Sequence, residues 1–294
     1  MLTTLENDVI RLSVDNCGAE IHSLILKETN DEYIWQADAR YWQRFSPVFF
    51  PFVGKLKNSQ YEYDGSLYNM SGHGFARDTE FNLINKTDNS LTYELSYSED
   101  TLKNYPFKFK LQITYTIEHF TVKTGWKVYN LDDRQYMYFS IGAYPAFNCP
   151  LGKEGKFDEH EIEFEQTEQN PLSSMHINSA GLLDGRVVPI NLIYGKVLRL
   201  NHSLFYEDAL IFKNLFSEEV KLRNPANNHF VKVNFKGFPY LNIWTKPSNA
   251  PFICIGPWHG LSDSTQKREI TMKEGIIELP AKKEFTATYS ITIG

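Results

Sequence analysis

Apolar and polar residues alternate along much of this chain, and the alternation has the period of a strand rather than a helix. In Val9 to Val14 the apolar positions are Ile10, Leu12 and Val14, separated by Arg11 and Ser13. Glu20 to Leu26 and Leu91 to Tyr97 carry the same kind of pattern, punctuated at their ends by Gly, Asn and Asp, as expected of half-buried strands. Lys108 to Ile117 and Phe120 to Tyr129 read as two arms of a hairpin turning at Glu118 and His119, filled with Tyr, Thr, Val and Ile and placed in the middle of a sheet. Helix signals are few. Asp38 is a candidate cap for a turn running through Tyr41 and Arg44, and Ser98 for one running through Leu102 and stopped by Pro106.

Strand-like segments recur at intervals of about 8–12 residues. No low-complexity linker interrupts them, and no internal repeat is evident. The expected fold is therefore all-β: one large antiparallel sandwich over residues 1–294 with short helical accessories. A division into two smaller β domains near 150–160, where Gly152, Gly155 and charged residues cluster, is the rival arrangement.

Composition adds one feature. Aromatic residues make up 15% of the 294-residue chain, with 21 Phe, 17 Tyr and 5 Trp, and such side chains suit both pleated surfaces and stacking on the flat apolar faces of ligands. A net charge of −6 and the lack of any long Lys/Arg run argue against a nucleic-acid partner. The three cysteines, Cys17, Cys149 and Cys254, are widely spaced and without a CxxC motif, so neither a disulfide framework nor a zinc site is expected. The start, Met1 to Asp8, lacks the regions of a signal peptide, and no apolar run reaches the length of a membrane span. A soluble cytoplasmic protein, monomeric or homodimeric, is expected.

Four segments carry candidate chemistry. Residues 42–57 hold four phenylalanines and two prolines before Gly54, Lys55 and Lys57, which also fits a core strand with a solvated end. Residues 71–77 place His73 and Arg77 on a glycine-flanked turn. An imidazole can exchange a proton near neutral pH and a guanidinium can fork onto hydroxyls or an anion, although a packing histidine and a structurally anchored arginine suit the same turn. The third segment is Phe139 to Asn148, with Tyr144 at its middle, directly before Pro145. The fourth combines Leu204 to Phe212, containing Asp208, with Phe252 to Gly260, containing Trp258 and His259. Asp208 can point into a cleft or cap a turn; Trp258 can stack on a sugar or fill the core.

These residues resemble the aldose 1-epimerases, or galactose mutarotases, and most closely their LacX-type branch. The resemblance rests on Phe-Pro-Phe-Val-Gly-Lys-Leu at 50–56, Tyr-Glu-Tyr-Asp-Gly-Ser-Leu-Tyr at 61–68, His-Gly-Phe-Ala-Arg at 73–77, Tyr-Pro-Ala-Phe-Asn at 144–148, Asp208 and Pro-Trp-His-Gly at 257–260. It implies a β-supersandwich with a sugar cleft and a reaction that opens and recloses an aldose ring by general acid and base, without metal or organic cofactor. It also implies that His73 contacts the sugar near its ring, that Asp208 clamps hydroxyls, and that Lys55 stands where an arginine is usual. Arg77 belongs to the LacX-type motif. The expected ligand is an aldose, or a sugar phosphate in view of Lys55, Lys57 and Arg77.

Two departures fall on the chemistry. Relatives carry His where this chain has Tyr144, a phenol with an ordinary pKa of about 10 against about 6.5 for imidazole. Relatives also carry Glu before the Pro-Trp pair, where this chain has Gly256. The resemblance implies that the histidine is the acid for the ring oxygen, a role that falls here to Tyr144, and that the glutamate is the base. Asp208 and His259 are the candidate replacement bases, and glutamate restored at 256 is expected to raise turnover if the cleft is otherwise intact. A catalytically weak or silent sugar-binding protein is the alternative function.

Overall fold

A computed structural model describes residues 1–152, 155–266 and 269–294. Two large antiparallel sheets and a four-stranded N-terminal sheet make up most of it. The predicted strands form within a residue of their expected limits, as Ile10–Asp15, Glu20–Leu26 and Ser90–Ser96. The hairpin forms as Phe109–Glu118 and Thr121–Asn130, paired along their full length. Its turn falls one residue later than expected, because Glu118 pairs with Thr121 and His119 takes the positive φ of 48°. This hairpin lies inside the nine-stranded sheet, flanked by Ser90–Ser96 and Glu284–Ile293.

Of the two capped turns expected, the one at Ser98 forms as a helix and the one at Asp38 forms over a shorter span. Ser98 caps Glu99–Asn104, its side chain accepting the Thr101 N–H while Thr101 reciprocates to the Ser98 N–H. At Asp38 only a turn forms: the carbonyl accepts from Tyr41 and Trp42, and the carboxylate accepts from the Arg40 N–H. The turn ends at Trp42, and farther on the buried carboxylate of Glu20 takes the N–H groups of Phe45 and Ser46.

The sheet that matters for function runs in the order Leu183–Ile190, Leu172–Ile177, Leu210–Lys213, Tyr240–Trp244, Phe252–His259, Ile141–Ala143, Val48–Phe49. Both large sheets draw strands from either side of residues 150–160, so a division there would cut through both. In this sheet the alternation sorts side chains between two clusters. Leu241, Ile243, Ile253 and Ile255 join the main core shared with the nine-stranded sheet. Tyr240, Phe252, Cys254 and Trp258 join a second, aromatic cluster on the opposite face, with Trp244 packed against it. Because successive side chains in a strand point to opposite faces, one sheet forms both a sandwich core and an aromatic floor.

Candidate active site

A cavity of about 420 Å³ opens over that aromatic floor. Its wall includes Lys55, His73, Arg77, Tyr144, Asp208 and Trp258, six of the seven residues singled out from the sequence. The seventh, His259, is not in the wall. It follows Trp258 in an extended strand and so points to the other face, where its ring lies 4.6 Å from Phe238 and 5.2 Å from Phe285. Pleating alone thus removes His259 from the candidate bases. Burial lowers its pKa to about 4, so the folded protein holds it neutral.

A neutral buried histidine makes stability depend on pH. Below about 6.5 the unfolded chain protonates at this residue while the fold does not, so stability is lost as pH falls from that value toward 4. His259→Phe, which keeps an aromatic ring between Phe238 and Phe285, is expected to move the acid-unfolding midpoint to lower pH. The relief at pH 4 is on the order of 2–3 kcal/mol before allowance for partial exposure. A circular-dichroism pH titration checks this, and an unmoved midpoint would assign acid unfolding to other groups.

His73 is held by a reciprocal pair of hydrogen bonds. Its N–H donates to the Gly54 carbonyl at 2.8 Å, and its Nδ1 accepts from the Gly54 N–H at 3.1 Å. An Nδ1 that accepts leaves the proton of the neutral ring on Nε2. Burial first, then the positive charges of Arg77, Lys55 and Arg44, depress its pKa to about 3. At neutral pH His73 is therefore a fixed hydrogen-bond donor, not a proton acceptor. The turn that carries it is tight: His73 has φ 68° and Gly74 φ 72°, and a Cβ on Gly74 would stand 2.2 Å from the Phe50 carbonyl oxygen. The imidazole lies on the Phe49 ring, with centroids 3.9 Å apart.

Arg77 is largely committed to its own surroundings. One guanidinium nitrogen donates to the Gly72 carbonyl at 3.1 Å, Nε faces Asp78 at 3.4 Å, and the group sits 6.0 Å from the Phe49 ring centroid. Lys55 is different. Its backbone is clamped, the N–H donating to Ser262 Oγ and the carbonyl accepting from Asp263. Its ammonium makes no ion pair within 4 Å among the described residues.

Asp208 and its neighbour Glu207 are the carboxylates of the cavity wall. Asp208 precedes the strand Leu210–Lys213 with φ 115°, a conformation that costs a non-glycine residue about 1–3 kcal/mol. Although the residue as a whole is solvent-accessible, desolvation of its carboxyl by the surrounding protein raises its pKa, an effect opposed by the Ala209 N–H and by the charges of Lys55 and His176.

Tyr144 is buried, which holds its phenol well above the ordinary value, with Cys254 and Asp208 adding to the shift. Its ring stacks on Trp244 at 6.1 Å and meets Trp42, Phe49 and Trp258. Trp258 is 3% exposed, and its indole N–H donates to the Ala143 carbonyl, so it underlies the cavity. Trp42 and Trp244, each partly accessible, present the stacking surfaces. Trp244, Asn242 and Glu207 were not anticipated. The alternation Tyr240, Asn242, Trp244 beside Phe252, Cys254, Gly256, Trp258 was the available signal for the first two.

Gly256 is not a gap. A Cβ there would lie 2.6 Å from the Ala143 oxygen, 2.8 Å from Cδ2 of Tyr144 and 3.0 Å from Nε1 of Trp258. The Tyr144 ring occupies the space a side chain at 256 would need. The expectation that glutamate at 256 raises turnover requires an otherwise intact cleft, and in this structure the side chain has no room unless its neighbours shift.

Among the described residues, no group of three or more His, Cys, Asp or Glu could hold a metal ion, and no helix is long and apolar enough to cross a membrane. The three cysteines are free, with Cys149 and Cys254 buried.

Comparison with known proteins identifies the family of the chain and its fold. The LacX protein encoded on the chromosome of Lactococcus lactis subsp. lactis is 34% identical over 275 residues, covering 92% of this chain and 91% of that one. A galactose mutarotase related enzyme from Lactobacillus acidophilus superimposes with a TM-score of 0.94 at 31% identity, over 100% of this chain and 97% of its own. A galactose mutarotase-like protein from Lactobacillus casei gives 0.93 at 32% identity over the full length of both. The family model described as aldose 1-epimerase matches residues 1–275. With its antiparallel fold, its aromatic floor and these matches, the chain belongs to the aldose 1-epimerase family.

Proposed function

We propose that the cavity binds an aldose in its pyranose form and interconverts the α and β anomers by opening and reclosing the ring. The observation that carries this reading is convergence: Lys55, His73, Arg77, Tyr144, Asp208 and Trp258, spread over 204 positions of sequence (258 − 54), line one cavity with aromatic walls. Such a cavity suits a ligand with apolar faces and hydroxylated edges.

In this reading Asp208 is the base. Its carboxylate takes the proton of the anomeric hydroxyl, the bond from C1 to the ring oxygen breaks, and the ring oxygen receives a proton from a donor in the wall. The aldehyde rotates about C1–C2, and the same steps reversed close the ring on the other face. The raised pKa of Asp208 makes it a stronger base than an ordinary carboxylate. The donors are His73 Nε2–H and the Tyr144 hydroxyl. A neutral imidazole and a phenol are both weak acids near neutral pH, so protonation of the ring oxygen limits the rate.

That weakness supports the second reading, a sugar-binding protein with little or no turnover. A sugar phosphate would be met chiefly by Lys55, since the Arg77 fork is engaged within its own turn. Exchange NMR on the purified protein with D-glucose, D-galactose and their 6-phosphates tests both readings. Anomer exchange above the buffer rate is expected for at least one sugar. Saturable binding with exchange at the buffer rate would leave only the binding role, and no binding at all would end both.

A further inference from the structure

Asn242 is 0% exposed, and neither its amide nitrogen nor its amide oxygen has a hydrogen-bond partner among the described residues. Of the residues lining the cavity, it alone combines burial with unpartnered side-chain polar atoms. Its strand puts it on the cavity side: Leu241 and Ile243 belong to the sandwich core, while Tyr240 and Trp244 pack on the aromatic face. Across the ladder it pairs with Gly256 on one side and Ile211 on the other, and neither has a side chain able to hydrogen-bond its amide.

An unpartnered buried amide destabilises the fold, and an apolar residue of the same shape would avoid that cost. Buried polar groups without partners inside a binding cavity fit a ligand that supplies the partners. A primary amide offers a donor and an acceptor side by side, which matches a sugar hydroxyl, itself able to donate and accept at once.

We propose that Asn242 is a substrate-binding, specificity-determining residue that reads one hydroxyl of the pyranose at the cavity floor. The inference rests on the sugar-binding role proposed above. The amide has no surface of its own in this structure, so engagement requires a floor ring to give way. Tyr144 lies against Gly256, the ladder partner of Asn242, and is the floor ring nearest that position among those described.

The test uses the full chain, calorimetric titration with D-galactose and D-glucose, and the 2-, 3-, 4- and 6-deoxy forms of each. Wild type is expected to bind one deoxy form about 10–100-fold more weakly than its parent. Asn242→Leu is expected to lose a similar factor on the parent sugar and nothing further on that deoxy form, while being at least as stable to urea as wild type. Should the leucine variant misfold, Asn242→Ala carries the same comparison. A variant that binds every sugar as wild type does overturns the role of Asn242 and leaves the cavity's sugar-binding role standing. A wild type that binds none of the sugars overturns both.

Discussion

Asp208→Asn is expected to slow anomer exchange by roughly 10²–10⁴-fold, the range for loss of a placed proton-transfer group, with pyranose affinity changed only a few-fold. Asparagine keeps the oxygen that accepts the Ala209 N–H at 2.7 Å and tolerates unusual backbone angles better than most residues. Stability should not fall. The carboxyl pKa is raised in the fold, so the ionised group opposes folding at neutral pH, and that opposition is relieved as pH falls through the folded value. Removing the charge removes the same cost. Asp208→Gly should lose activity equally and gain stability, because φ 115° is strained for an aspartate and easy for glycine. The rate of the wild type should fall on acidification through the raised Asp208 pKa. His73, already neutral down to about 3, should add no limb near neutrality. Exchange NMR with urea unfolding separates the effects: a D208N protein that keeps its rate would remove Asp208 as the base, and one that loses stability in proportion to rate would make its role structural.

Glutamate at 256 is expected to destabilise the protein by roughly 3 kcal/mol or more, at the upper end of overpacking costs. The obstruction is partly backbone: the Ala143 oxygen stands 2.6 Å from the new Cβ, and the same oxygen accepts the Trp258 indole N–H. The remainder is the Tyr144 ring at 2.8 Å. Combining Gly256→Glu with Tyr144→His, which exchanges the phenol for a smaller ring, should recover part of the lost stability. The two positions are in contact and should therefore couple. Urea denaturation of the two single variants and the pair measures that coupling. A G256E protein as stable as wild type would show that the strand relaxes freely, and additive effects would show that Tyr144 and residue 256 do not share the space. The Tyr144 ring, between the strands Ile141–Ala143 and Ala146–Asn148, and the missing side chain at Gly256 are complementary in space.

The same strands show how far the sequence could be read. Glu20–Leu26 was visible from alternation and from its turn residues, since both are local properties. The Ser98 cap was equally visible, because its partner lies three residues away. The Asp38 turn was visible too, but not that it would stop at Trp42 short of Arg44, nor that Phe45 would be held by Glu20, whose carboxylate comes from a strand 25 residues before Phe45. His259 was misassigned although the necessary signal was present: adjacent residues in a strand face opposite ways, so it could not share the cavity with Trp258.

Local chemistry, read in order along the chain, determined the strand periods, the wealth of aromatic residues and the set of side chains able to bind a sugar. Tertiary pairing alone decided which face of the sheet became the floor, that Asn242 sits opposite Gly256, that Tyr144 fills the space beside that glycine, and that Gly54 sets the tautomer of His73. The physical reason is that alternation fixes the two faces of a strand relative to each other but carries no record of its neighbours. Ladder register, desolvation and steric exclusion arise only when segments distant in sequence are brought together.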